Sequence, residues 1–63
     1  MKEFTYKTTT EEKRVVMGKH QDRNYFVDIY PEFGVHTSNY YDTEEEALKR
    51  FNSIKKRVRV ISE

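Results

Sequence analysis

Asp42-Thr43-Glu44-Glu45-Glu46-Ala47-Leu48-Lys49-Arg50-Phe51-Asn52-Ser53-Ile54-Lys55-Lys56-Arg57 is the stretch on which the fold turns. Ala47, Leu48, Phe51, Ile54 and, one turn further, Val58 recur at the 3.6-residue period, which draws a single apolar stripe along a helix. Asp42 or Thr43 can cap the first turn, and Glu45 or Glu46 three residues on completes a capping box. Lys55-Lys56-Arg57 then falls at the negative end of the helix dipole. Glu45 with Lys49 and Glu46 with Arg50 are i,i+4 pairs in the favourable order. A helix with one apolar stripe needs a surface to bury it against, so the rest of the chain is expected to form a sheet.

Two runs before the helix supply it. Asn24-Tyr25-Phe26-Val27-Asp28-Ile29-Tyr30 and Val35-His36-Thr37-Ser38-Asn39-Tyr40-Tyr41 are dense in aromatic and β-branched residues. Pro31-Glu32-Phe33-Gly34 between them offers glycine for a left-handed position, so the expected connection is a three-residue loop, Glu32 to Gly34, with a glycine bulge. That register puts Tyr25, Val27 and Ile29 with Val35, Thr37 and Tyr41 on the face that receives the helix. Phe26, Asp28, Tyr30, His36, Ser38 and Tyr40 then occupy the opposite face.

Nearer the N-terminus, Phe4 and Tyr6 alternate as in a short strand, and Lys13-Arg14-Val15-Val16-Met17 reads as a second. Thr9-Thr10-Glu11-Glu12 can alternatively cap a short helix ending at Gly18, and two adjacent valines favour the strand because their side chains are stiff at the first torsion. Val58-Arg59-Val60-Ile61 is expected as a short edge strand or a frayed helical end.

Composition bounds what this arrangement can be. Residues 1–63 fit one small domain, and a domain of this size buries only about 60% of its unfolded surface. Nine aromatic residues stand beside ten of Ile, Leu and Val, so rings carry much of the core. The absence of cysteine removes disulfides, thiolate nucleophiles and cysteine-ligated metals. No apolar run is long enough for a membrane span or a signal peptide, so a cytoplasmic protein without membrane contact is expected. Twelve basic residues nearly cancel eleven acidic ones, and the net charge of +1 gives little whole-molecule attraction to nucleic acid.

No catalytic, metal or cofactor site is expected. His20 and His36 lack the i,i+4 partner of a helical zinc motif, and His20 is expected in a loop with Gln21 and Asp22. His36, Ser38 and Asp28 gather the residue types of a hydrolytic triad on one sheet face, yet a flat strand face supplies no oxyanion-hole amides and spaces its side chains too widely. Two binding surfaces remain. Phe26, Tyr30, Phe33, His36 and Tyr40 form an aromatic patch suited to a protein partner, unless the N-terminal segment folds across it or it makes a homodimer seam. Lys49, Arg50, Lys55, Lys56, Arg57 and Arg59 place six positive charges in eleven residues, which is the alternative, nucleic-acid-binding surface. The acidic run Asp42 to Glu46 can imitate phosphates, but helix capping explains each of its residues by position.

Strand, turn, strand, then Tyr41-Asp42-Thr43-Glu44-Glu45-Glu46-Ala47 opening a helix with Phe51 inside resembles the three-strand-plus-helix arm-type DNA-binding domains of phage integrases over residues 12–57. The resemblance implies major-groove reading by basic strand residues, where this hairpin carries Arg23 together with acidic Asp28, Glu32 and Asp42. In size, charge density and aromatic content the chain is also similar to small phage-encoded inhibitors such as anti-CRISPR proteins. That similarity implies binding and blocking of a host or defence protein. The expectation is therefore a small α+β domain, an antiparallel sheet of three to five strands with one helix on one face, monomeric or homodimeric, binding a macromolecule without catalysis.

Overall fold

A computed structural model describes residues 1–21 and 24–63. Along the chain it places β1 (Lys2–Lys7), β2 (Glu12–His20), β3 (Asn24–Pro31), β4 (Thr37–Tyr41), α1 (Glu44–Arg57) and β5 (Val60–Ser62). The strands make one five-stranded antiparallel sheet in the order β4-β3-β2-β1-β5, and α1 packs on one face of it. The α+β architecture inferred from the helix stripe is the one observed.

α1 begins where side-chain chemistry can satisfy its free amides. Thr43 is the N-cap: its Oγ1 accepts from the Glu46 amide at 3.2 Å and donates to Glu46 Oε1 at 3.1 Å. The first helical residue is Glu44, so Asp42 lies outside the cap. Glu46 is thereby turned toward Thr43, and the expected pairs of Glu45 with Lys49 and Glu46 with Arg50 do not form. Among the described residues the ion pair that does form joins Lys55 to Glu63, tying the end of the helix to the residue after β5.

One core lies between helix and sheet. Ala47, Phe51 and Ile54 meet Phe4, Tyr6, Val15, Met17 and Val27, with Tyr25, Ile29, Tyr41, Leu48, Val58 and Val60 packed around them. Phe4 and Phe51 meet edge to face at 5.0 Å between centroids, the favoured geometry for two ring quadrupoles. Residues 12–20 form a strand, as the two valines favoured, and Val15 and Val16 are both buried although they point to opposite faces. The tail is also extended, although its strand starts at Val60, with Val58 as the C-cap of α1.

The hairpin register agrees with expectation, since Tyr25, Val27 and Ile29 pair with Tyr41, Asn39 and Thr37. Two details need correction. Pairing stops at Ile29–Thr37, so the connection is longer than Glu32 to Gly34, and Val35 is 85% exposed where the helix face was expected. The cause lies in the neighbouring β1–β2 turn. The Thr8 hydroxyl organises that turn, accepting from the Thr10 and Glu11 amides and donating to the Glu11 carbonyl. Glu11 Oε1 then accepts from the Glu32 and Phe33 amides at 3.0 and 3.4 Å, while Glu32 Oε1 accepts from the Glu12 amide at 3.1 Å. These bonds hold the chain in a wider path before it returns into β4. Gly34 has φ +98°, the left-handed conformation for which a glycine was expected there.

Candidate functional site

Alternation along the strands places Arg14, Val16, Gly18 and His20 of β2, Phe26, Asp28 and Tyr30 of β3, and Ser38 and Tyr40 of β4 on the sheet face opposite α1. Among the described residues no element covers this face. The N-terminal segment does not fold across it, because β1 instead joins the sheet between β2 and β5.

Tyr30 gathers the side chains at one end of the face. Its hydroxyl donates to Asp28 Oδ2 at 3.1 Å, its ring stacks on His36 at 5.0 Å and 23°, and the Arg14 guanidinium lies 5.3 Å from its centroid. The last distance is within cation–π range. The Asp28 hydrogen bond, followed by desolvation and the Asp28 charge, raises the Tyr30 pKa above its usual value, against a lowering by Arg14. Asp28 Oδ1 is enclosed without a partner among the described residues, which leaves the Tyr30 hydroxyl as the group that meets this carboxylate.

A second cluster lies toward the other end of the strands. Phe26 lies across Gly18, so close that a Cβ there would come within 2.9 Å of the ring tip. Tyr40, opposite Phe26, meets the His20 ring edge to face at 5.3 Å and remains 54% exposed. Val16 is buried between the two clusters. His20 is thus the last residue of β2 rather than part of a loop, while Asp22 and Arg23 lie outside the described residues.

Of the residues expected to bind a protein, Phe26, Tyr30, His36 and Tyr40 gather here, and Phe33 stands 69% exposed on the wider loop after β3. Arg14, Val16 and His20 share the face and were missed. Finding them requires the β2–β3 register, because Arg14 is recognisable only as the residue opposite Tyr30. The residues of the hydrolytic triad are not arranged as one: Asp28 accepts from Tyr30, and the His36 ring is stacked on Tyr30.

The basic residues do not form one patch. At 3.6 residues per turn, Lys49 and Lys56 lie on the outer side of α1, Arg50 and Arg57 on one flank and Lys55 on the other. Lys55 is paired with Glu63 and stands 6.0 Å from the Phe4 ring centroid, and Arg59 follows the helix in the connection to β5. The acidic Glu44, Glu45 and Glu46 occupy the first turn of the same helix. No helix among the described residues is long and apolar enough to cross a membrane.

Fold and face together define a small one-helix, five-strand α+β domain with an open aromatic sheet surface. Comparison with protein-family models, curated proteins and solved structures finds no match to this chain.

Proposed function

We propose that this chain is a non-catalytic binding module whose working surface is the open sheet face, and that it binds and blocks another protein in the manner of the small phage-encoded inhibitors it resembles. The observation that carries this reading is the two pre-arranged clusters, Tyr30 with His36 and Arg14 and Tyr40 with His20 beside Phe26, on a face that no element among the described residues covers. Rings already held by their neighbours lose little freedom on binding, so the face presents contact area at low entropic cost.

Shape supports a macromolecular partner. The molecule is a slab of 36 × 23 × 14 Å, and its broad side is close to the ~800 Å² that each partner contributes to a standard protein interface. The complementary surface is apolar opposite Phe26 and Tyr40, with hydrogen-bonding groups facing Arg14 and Ser38 at the rim.

Tyr40→Ala tests this reading. With most of its side chain already in water, the substitution should leave the melting temperature within a few degrees. Parent and variant are immobilised side by side and exposed to a bacterial lysate, and eluates are assayed for protein and nucleic acid. Proteins retained by the parent and depleted tenfold or more on the variant support an aromatic anchor, since ~1.4 kcal/mol is tenfold in affinity. Equal retention by both, or eluates dominated by nucleic acid and lost with Lys55→Glu and Lys56→Glu, overturns it.

A further inference from the structure

The strand order β4-β3-β2-β1-β5 leaves β4 and β5 each with one unpaired side. A free edge presents a row of backbone N–H and C=O groups that template another strand, and proteins protect such edges with charge, proline, bulges or brevity. β5 is protected: it is three residues long, its pairing with β1 shifts register, and Arg59 and Glu63 flank it.

β4, five residues long, lacks protection by side chains. From Phe33 to Tyr41 there is no Asp, Glu, Lys, Arg or Pro, the longest such run in a chain that is 37% charged. Thr37, Ser38, Asn39 and Tyr40 are all exposed. Phe33, Val35 and Tyr40, three of the five exposed large hydrophobic residues among those described, fall in the same run.

We propose that a second copy of this chain pairs with the β4 edge, antiparallel, about a two-fold axis at Asn39. A strand without charge is compatible with itself in every antiparallel register, whereas a charged residue placed on such an axis meets the like charge of its own copy. Centring on Asn39 is the register that pairs all five β4 residues. Tyr40 then faces Ser38 of the second copy and Tyr41 faces its Thr37, so each ring lies opposite a small hydroxyl residue. The two Tyr40 rings occupy a diagonal on the open face, within reach for aromatic side chains. The two-fold axis is perpendicular to the sheet, so ten strands run as one sheet with both helices on the same side. The contact is isologous and closes at two copies. It leaves the broad open faces free and does not depend on what binds them.

Sedimentation equilibrium of the purified full chain, from micromolar to millimolar concentration, reads this directly. The average mass is expected to rise from 7.7 kDa toward twice that value. Asn39→Lys places two ammonium groups against each other on the axis and is expected to weaken association about tenfold, as does Asn39→Asp with two carboxylates. An equimolar mixture of the two variants should associate at least as well as the parent, because the facing charges then attract. Recovery on mixing cannot come from misfolded variants, and far-UV circular dichroism checks each alone. Amide exchange gives a reading on the parent itself: β4 amides should slow with concentration while those of β5 do not. A parent that stays at 7.7 kDa throughout overturns the proposal. So does Asn39→Lys associating as tightly as the parent, or concentration-dependent protection at residues other than β4.

Discussion

At the scale of single residues, Tyr30 shows how one side chain can be fixed from three directions. Its hydroxyl meets Asp28, its ring carries His36, and Arg14 lies against its π system. The Asp28 bond favours the neutral phenol, so the Tyr30 pKa in the folded protein lies above the usual phenol value. The sign of the linkage follows. Folding prefers the protonated form, so this contribution is fully present below pH ~10 and is lost as pH rises through the folded-state pKa. Tyr30→Phe removes it at the outset and leaves the Asp28 carboxylate without its hydroxyl donor. The variant should therefore melt below the parent at neutral pH, and the gap should narrow above pH ~10, where the parent's own phenol ionises. Melting curves of both proteins across that range decide it: a gap that stays constant would mean the hydrogen bond contributes nothing. Gly18 makes the complementary point, since its lack of a Cβ leaves room for the tip of the Phe26 ring against β2.

Among the elements, α1 holds the largest share of what local sequence can specify. Its stripe meets the sheet through Ala47, Phe51 and Ile54, all buried, and Phe51 sits edge to face on Phe4. Phe51→Ala should cost about 3–5 kcal/mol, against a total stability of roughly 3–9 kcal/mol for a chain this long at 0.05–0.15 kcal/mol per residue. A melt followed by circular dichroism should find the variant largely unfolded at physiological temperature, and near-parental stability would contradict the packing of α1. The stripe was readable because one period of 3.6 accounts for every apolar position from Ala47 to Val58. β3 was readable because Tyr25, Val27 and Ile29 alternate with polar or open-face residues. β2 was ambiguous because Val15, Val16 and Met17 are consecutive and all buried, a pattern without alternation that only β-branching resolved. The loop after β3 was misjudged because its shape is set by Glu11 and Glu12, some twenty residues away, and no window around Gly34 contains them. The open face was legible to the same extent as the hairpin register: four of its aromatic and histidine residues followed from that register. Arg14 and His20 required knowing that β2 lies beside β3.

At the scale of the whole molecule, the arrangement of charge gives the basic surface a testable salt dependence. Lys49, Arg50, Lys55, Lys56, Arg57 and Arg59 form a dense cluster in sequence but spread around a helix whose first turn carries Glu44, Glu45 and Glu46. Lys55 is already engaged with Glu63. A protein that neutralised several phosphates at once would show affinity falling steeply with salt, roughly 10³–10⁵-fold between 50 and 200 mM for six to ten contacts. With its cations facing different directions and a net charge of +1, this domain is expected to set about two or three of them against one duplex. Fluorescence anisotropy with a labelled duplex should therefore give weak binding at low salt and a shallow dependence of log affinity on log salt, with a slope of magnitude ~2–3 rather than six or more. Lys55→Glu with Lys56→Glu should change that slope by about one, because Lys55 is paired and Lys56 has no ion pair among the described residues. A steep slope abolished by the double substitution would mean that the helix end gathers its charges on binding. The basic surface, and not the aromatic one, would then be the working face of the protein.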